Sequence, residues 1–281
     1  MTTKTLEDLD TVLAEFSAKV EKIRNTPSEV DEAFRQAAKY VAAAEGGTVG
    51  ALGGAILGYI YGSVTEDDFT GTMQRNKKEI KNKIVELLAS LQAAIDGLRA
   101  PIAFLQSSGA WLSVQTEINV ARNWIEVNAD LRGNWSGSAA DAYFAKKQLQ
   151  ITAHETLIAN CATMSTCLVE ISDASWTFYS KIVSDLAKFF IDFAAALTKI
   201  ATGIAAPVGI GDAIDAAAWI IQKVVDYSLE LGSALRTQRA NINQIEGSID
   251  NPKGFHNNKW PSVGASDVKI DAPNNEKWAA R

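Results

Sequence analysis

The feature that most constrains the fold of this chain is the spacing of its apolar residues, which recur at alternating intervals of three and four. This spacing places them on one face of an α-helix, and no stretch shows the sustained alternation of a β-strand. The chain has 281 residues, 47% of them hydrophobic, so it can bury a core. We predict an all-α fold, an elongated bundle of long helices. The apolar stripes are Leu6, Leu9, Leu13, Phe16, Val20 and Ile23; Ile80, Ile84, Leu87, Leu91, Ile95, Leu98, Ile102 and Leu105; Leu157, Cys161, Met164, Leu168 and Ile171; and Leu231, Leu235, Ile242, Ile245 and Ile249.

Helix-breaking residues divide these stripes. Pro27 is expected to end the first helix, with Ser28 to Asp31 forming a capping box that starts the next. Pro101 lies inside a continuing stripe and is expected to kink or split that helix. The stretches 107–109 and 207–211 are expected to be loops.

Four regions follow from these boundaries. Residues 1–106 are an N-terminal helical region, residues 107–200 a helical hairpin, and residues 201–249 C-terminal apolar and heptad-patterned helices. From 250 to 281 the periodicity stops and Asn, Pro, Gly and Lys dominate, so we expect a poorly packed tail there.

A tryptophan between two glycines interrupts the helical pattern in "LRGNWSGSAADAY", residues 131–143. Gly133 suits the left-handed position that ends a helix, and Ser138 with Asp141 fits the capping box of the next. Helices joined by so short a turn normally pack antiparallel, so we predict a hairpin of helices over about 110–132 and 138–175. Trp135 is expected to fold over the end of this hairpin. A purely structural role, as a hydrophobic plug, would be sufficient to explain the residue.

The same stretch resembles the turn of the WXG superfamily, helical-hairpin proteins exported by the type VII (ESX) secretion systems of actinobacteria and their relatives. Trp135 and Gly137 match the tryptophan and glycine of that motif. The Ser-Ala-Ala-Asp-x-Tyr continuation resembles larger secretion-associated members of the EspA and EspE kind. The resemblance covers about residues 109–175, and a looser similarity extends to about residue 225.

The resemblance implies a leaderless secreted or cell-envelope protein that dimerises with itself or pairs with a partner helical hairpin. The N-terminus has no basic start followed by an apolar run, so no secretory signal peptide is predicted. The family's export signal is a tyrosine followed four residues later by an acid. None of the tyrosines here has one, so either a partner supplies the signal or the chain is not itself exported. The tyrosines are Tyr40, Tyr59, Tyr61, Tyr143, Tyr179 and Tyr227.

The second unusual stretch is the glycine-zipper segment 46–65, twenty residues without a charge. Glycines fall at every fourth position: Gly46, Gly50, Gly54, Gly58 and Gly62. The segment is long enough to span a bilayer as a helix, and its glycines would allow close helix packing. Three interpretations stay open: a helix packed in a soluble bundle, a segment released to insert into a membrane, and a permanent membrane anchor.

Two neighbouring features bear on membrane contact. The apolar stretch 189–222 contains charges, and its longest uncharged run is the twelve residues from Ile200 to Gly211, so core packing is expected. A basic run at residues 77–83 is either a solvated helix face or a patch for lipid headgroups. Its members are Lys77, Lys78, Lys81 and Lys83.

The residues offer little catalytic chemistry. Cys161 and Cys167 are expected to be buried apolar residues, and neither His154 nor His256 has the second ligand of a metal site. The net charge of −6 argues against nucleic acid as a partner. We predict no catalytic residues, no cofactor and no metal.

The leading interpretation is therefore a non-enzymatic, type VII secretion-associated protein that acts by helix–helix contact. Its expected partner is the secretion machinery or a partner helical hairpin, and a homo-oligomer and contact with a membrane both stay open. The first alternative is an α-helical pore-forming or toxin-delivery protein that inserts the glycine-zipper segment. The second is a cytoplasmic partner or chaperone of another secreted protein.

Overall fold

The computed structural model describes residues 4–45 and 66–261. Within these ranges the chain is α-helical and contains no β-strand, which confirms the all-α class. The described helices are long, from 29 to 64 residues. Their bounds are Leu6–Glu45 (α1), Glu66–Asp96 (α2), Ala100–Asn128 (α3), Ser138–Ala201 (α4) and Ala206–Asp250 (α5).

Helix α1 runs without interruption through Pro27, so the expected helix end there is wrong. A proline in a helix interior removes one backbone hydrogen bond and costs about 3 kcal/mol. The apolar stripe nevertheless continues past it, with Val30 and Phe34 buried, and this burial offsets the loss. Ser28 does not begin a new helix; its hydroxyl donates back to the carbonyl of Asn25 at 2.6 Å.

The split predicted at Pro101 is present. Helix α2 ends at Asp96 and α3 begins at Ala100, with the amide of Ala100 donating to the carbonyl of Gly97 at 3.0 Å. Pro101 is therefore the second residue of α3, where a helix does not use the backbone N–H that proline lacks.

Both expected loops are wrong. Residues 107–109 lie inside α3, where the buried Ser108 donates its hydroxyl to the carbonyl of Leu105 at 2.7 Å. Residues 207–211 lie in the first turns of α5, and Pro207 is tolerated there for the same reason as Pro101. The chain turns earlier, between α4 and α5, where Gly203 has a φ of 72°.

The helices form two compact units, and α4 and α5 each contribute to both. The first unit comprises the described residues of Met1–Pro101 together with Ala174–Ser233. The second comprises Ile102–Asp173 together with the described residues from Ala234 onward.

Large apolar side chains fill the core of the first unit. The predicted stripes of α1 and α2 are buried there from Leu9 to Ile23 and from Ile80 to Leu91. Phe189, Phe193 and Ile200 are buried with them, which confirms the expected core packing of residues 189–222. Tyr179 packs edge-on against Phe16, with ring centroids 5.1 Å apart, and donates its hydroxyl to the carbonyl of Ala94 at 2.8 Å.

The basic run on α2 is engaged in ion pairs. The ammonium groups of Lys77 and Lys81 lie 2.8 and 2.7 Å from the carboxylate of Asp31 on α1, and Lys83 pairs with Glu86 at 2.7 Å. Hydrogen bonds from Lys77 and then Lys81 hold the pKa of Asp31 below its usual value. These contacts favour the interpretation of the run as a solvated helix face.

The second unit buries far less. Its buried apolar residues are Ala140, Ala153, Cys161, Cys167, Ile171 and Ile245. Both cysteines are free and buried, as expected, and desolvation raises the pKa of each thiol. A polar contact replaces part of the apolar packing, since the buried Gln238 on α5 donates to Glu170 on α4.

Residues 251–261 are anchored to α4 by a few contacts, although most of them are exposed. Gln150 donates to the carbonyl of Pro261 at 2.7 Å, and the ring of Trp260 lies 4.7 Å from that of the buried His154. Gly254, with a φ of 84°, lies so close to α4 that a Cβ there would be 2.4 Å from the amide nitrogen of Ala153. The composition of the tail did not predict these contacts. Side chains of α4 donate the anchoring hydrogen bonds, and their acceptors are backbone carbonyls, which every residue has. The rest of the tail, residues 262–281, lies outside the described residues.

Candidate functional site

The turn around Trp135 connects α3 to α4 and occupies residues 129–137. Helix α3 ends at Asn128, four residues before the predicted end, and α4 begins at Ser138. The carbonyl of Gly137 accepts the first bond of α4, from the amide of Asp141 at 3.1 Å. Gly137 is therefore the N-cap, and Ser138 is the first residue of the helix and not the N-cap of the expected capping box.

Two glycines allow the chain to reverse here. Gly133 has a φ of 88° and Gly137 a φ of 102°, which L side chains rarely adopt. A Cβ at either position would meet no atom within 4 Å. The backbone conformation, not a lack of space, therefore requires glycine at both positions.

The side chain of Trp135 is half-buried and lies on α4. Its ring centroid is 5.6 Å from that of Tyr143, at an interplanar angle of 51°. Tyr143 also contacts the ring of Phe144 edge-on at 5.4 Å, and the guanidinium of Arg132 lies 5.7 Å from the Phe144 ring. The turn thus carries a small aromatic cluster with part of the tryptophan open to solvent.

Helix α4 caps the C-terminal end of α3 with two side chains one helical turn apart. The hydroxyl of Tyr143 donates to the carbonyl of Ala129 at 2.8 Å, and the ammonium of Lys147 donates to the carbonyl of Glu126 at 3.0 Å. The last carbonyls of a helix lack intrahelical donors and carry partial negative charge. Lys147 is itself buried, and this bond to a carbonyl compensates part of the cost of burying its charge.

Sequence reasoning missed this capping role of Tyr143 and Lys147. Their acceptors are backbone carbonyls 14 and 21 residues earlier, which no side-chain pattern encodes. The one available signal was the i, i+4 spacing of a tyrosine and a lysine just after the turn.

The contacts between α3 and α4 indicate that the two helices run in opposite directions. Residue 143 contacts residue 129, residue 147 contacts residue 126, and the buried hydroxyl of Ser165 donates to the carbonyl of Ser108 at 3.1 Å. Positions that rise along α4 fall along α3, so the two helices pack antiparallel.

The side of α3 away from α4 carries exposed apolar residues. Val120, Trp124 and Val127 are 64%, 63% and 73% exposed and follow the spacing of four and three. At 100° per residue they fall within about 60° of arc on the helix. We call these three residues the α3 face. Residues 109–139, all of which the structure describes, are each exposed or half-buried.

The five glycines of the predicted zipper, Gly46 to Gly62, lie outside the described residues. Within the described chain, one helical stretch, Gly71–Asn128, is long and apolar enough by length and composition to cross a membrane, and 17% of its most apolar window is buried. The described residues contain no group of three or more His, Cys, Asp or Glu side chains arranged to hold a metal ion. Comparisons with known proteins give no match among family models, curated proteins or solved structures.

Proposed function

We propose that this chain is a non-enzymatic, type VII secretion-associated protein that acts by helix–helix contact with the secretion machinery or a partner helical hairpin. The observation that supports this most directly is the Trp135 turn: a half-buried tryptophan, between two positive-φ glycines, at the end of antiparallel helices. The resemblance of Trp135 and Gly137 to the tryptophan and glycine of the WXG motif supports the same proposal.

The turn has the properties of a recognition surface. Tyr143 and Lys147 bond the end of α3 to α4, so the aromatic cluster is held before any partner arrives. A preorganised surface loses less conformational entropy on binding. The part of Trp135 that is open to solvent offers apolar area to a contact, and tryptophan is enriched among residues that dominate binding energy.

Export into the medium tests the proposal. We expect Trp135→Arg to stay with the cells while wild-type protein is secreted, because a charged side chain replaces the aromatic surface of the turn. Trp111→Arg, the same change at a 38% exposed tryptophan on α3, is the matched control and should be secreted. Both variants are first checked for wild-type helicity by circular dichroism.

Equal secretion of wild type and a folded Trp135→Arg variant would contradict the role of the turn. Secretion of neither wild type nor control would favour the chaperone alternative, in which the chain remains cytoplasmic. Co-purification of a small helical-hairpin protein with wild type, lost in Trp135→Arg, would support that alternative through the same turn.

The uncharged glycine segment favours a second candidate function, insertion into a membrane as part of a pore-forming or toxin-delivery protein. Replacing Gly54 and Gly58 with leucine would block close packing of inserted helices and abolish leakage. The measurement is dye release from anionic liposomes at neutral and mildly acidic pH. Wild-type protein that releases no dye and does not pellet with the liposomes would exclude membrane insertion by the protein acting alone.

A further inference from the structure

The first part of the tail closes on itself at a two-residue turn, and we call residues 252–261 the tail clip. His256 and Lys259 exchange two backbone hydrogen bonds, of 3.3 and 3.0 Å, across Asn257 and Asn258. The φ values of the two asparagines are 51° and 57°, the left-handed pair that a type I′ turn requires and that asparagine tolerates. These bonds are internal to the clip and involve no residue of α4.

The clip contacts α4 mainly through its own backbone. The side-chain amide of Gln150 donates to the carbonyl of Pro261 at 2.7 Å, and the hydroxyl of Thr156 donates to the carbonyl of Lys253 at 3.0 Å. Between these bonds Gly254 lies against the helix, where a Cβ would be 2.4 Å from a backbone nitrogen of α4. A surface that binds backbone carbonyls and a glycine can bind any segment that supplies these groups at the same spacing.

Trp260 supplies the main side-chain contact of the clip. Its ring lies edge-on to that of the buried His154, with centroids 4.7 Å apart, and 5.6 Å from the ring of Phe255. The indole is still 41% exposed, whereas the next residue, Pro261, is buried. The contact therefore favours a segment that carries a glycine and, six and seven positions later, the pair Trp-Pro.

The α4 surface beneath the clip retains hydrogen-bond partners of its own. Nδ1 of His154 lies 2.7 Å from the carbonyl of Gln150 in the same helix. The hydroxyl of Thr156 lies 3.0 Å from the carbonyl of Thr152 as well as 3.0 Å from that of Lys253. A buried polar group left without a partner is costly, and neither His154 nor Thr156 is left so when the clip departs. The contact can therefore be exchanged without breaking the bonding of α4.

We propose that the α4 surface from Gln150 to Thr156 is a polypeptide-binding site, which the tail clip occupies in cis and a segment of a partner protein occupies in its place. The partner segment carries a glycine and Trp-Pro at the spacing of the clip. Site and clip both belong to the second unit. A tethered ligand has an effective concentration on the order of a millimolar, so the clip limits access to the site. The site is separate from the Trp135 turn and does not rest on the function proposed for that turn.

Fluorescence anisotropy of a labelled synthetic peptide of residues 250–261, titrated with the full-length protein, tests the proposal. Gly254→Ala in the protein should release the clip, because a Cβ there overlaps the backbone of α4. We expect this variant to bind the peptide at least tenfold more tightly than wild type, whose site is occupied. Gly247→Ala, the same change at an α5 position where a Cβ meets no atom within 4 Å, is the matched control and should bind like wild type. A peptide with Trp260→Ala should bind at least tenfold more weakly than the natural peptide.

The imidazole NMR signals of His154 report whether the peptide binds at this surface. The chain has two histidines, and His256→Gln assigns them. In isotope-labelled wild type the ring of Trp260 should shift the His154 signals. Gly254→Ala should remove the shift, and unlabelled peptide should restore it. A second variant that combines Gly254→Ala with Trp260→Ala loses both contacts and should release the clip where the first change alone is tolerated.

Three results would overturn the proposal. One is a folded variant with a released clip that binds the peptide no more tightly than wild type. Another is binding that leaves the His154 signals unchanged, since the peptide would then lie elsewhere. The third is a His154 signal that stays shifted in both variants, which would make the clip a permanent part of the fold. None of these results affects the export assay, in which Trp135→Arg tests the proposed function.

Discussion

The two units of this protein are stabilised by different kinds of interaction, although α4 and α5 contribute to both. All twelve of the largest fully buried side chains among the described residues, including Phe16, Phe189 and Phe193, belong to the first unit. The second unit buries alanines, cysteines and two isoleucines. Part of the difference lies within α4 itself, because Phe178, Phe189, Phe190 and Phe193 are in the part that belongs to the first unit, and Phe144 is the one phenylalanine in the other part.

This contrast has an energetic meaning. Fully burying a leucine, isoleucine or phenylalanine side chain stabilises by about 1.5–3 kcal/mol, whereas a typical hydrogen bond contributes a net of about 0.5–1.5 kcal/mol. The first unit therefore derives its stability from apolar burial, and the second depends more on contacts such as Lys147 to Glu126 and Gln238 to Glu170. We expect the second unit to open at a lower free energy than the first.

The largest expected effect comes from the core of the first unit. Phe189→Ala should lower the free energy of unfolding by about 3–5 kcal/mol, because Phe189 is fully buried and its removal leaves a cavity. Ile191→Ala, two residues along the same helix and 71% exposed, is the control and should change stability little. Urea unfolding followed by circular dichroism measures both. Equal effects of the two changes would contradict the assignment of the core to this unit.

The buried lysine of the second unit should have the next largest effect. Lys147→Met keeps the chain length but removes the charged donor to the Glu126 carbonyl, with an expected loss of about 1.5–3 kcal/mol. Lys78→Met, at an exposed position on α2, is the control. Hydrogen exchange should show the loss in α3 and not in α2. Unchanged protection of α3 would mean that the cap does not hold the second unit together.

The same contrast explains what could be predicted from sequence. The stripes of α1 and α2 were readable because large apolar residues at helical spacing, from Leu9 to Ile23, require burial wherever they lie. Local breaking signals failed at Pro27 and at Gly109, because the helix continues where tertiary packing or the flanking turns favour it. The half-buried stripe from Ile95 to Leu105 has the same periodicity as its buried neighbours, since periodicity does not specify what covers a face.

The turn was predictable in position but not in its bonding. Its glycines marked Trp135 as lying between two helices, because positive φ is a local property. Tyr143 and Lys147 act through backbone carbonyls on another helix, so their capping roles depend on the antiparallel register of α3 and α4. Register is a property of packed helices and leaves no trace in a single stretch of sequence.

Alkaline pH should destabilise the first unit through two tyrosines. Burial raises the pKa of Tyr179 to about 12, and burial followed by the bond to Asp185 raises the pKa of Tyr227 to about 12. Both belong to the first unit. Because the folded state disfavours the ionised phenol, the stability is fully present below about pH 10 and is lost as the pH rises toward 12.

For Tyr179 the loss should be on the order of 2 kcal/mol, since one pKa unit corresponds to about 1.4 kcal/mol. Tyr179→Phe should reduce the slope of unfolding free energy against pH between about 10 and 12. Tyr40→Phe, the same change at a residue 49% exposed, is the matched control. A slope that is the same in both variants would mean that Tyr179 is not the group that titrates.

The smallest effects come from two glycines of the second unit, and their signs should be opposite. Gly109 lies in the interior of α3, and a Cβ there would meet no atom within 4 Å. Gly109→Ala should therefore stabilise by about 0.5–1 kcal/mol, because alanine loses less backbone entropy in a helix. Gly133 has equal space but a φ of 88°, so Gly133→Ala should destabilise by about 1 kcal/mol through backbone strain alone. Thermal unfolding of the two variants beside wild type measures the difference. A Cβ has equal space at the two positions, so steric contact does not explain a difference between the variants. A stabilising Gly133→Ala would show that the turn does not hold this glycine in the left-handed region. A destabilising Gly109→Ala would show that α3 is interrupted at that position.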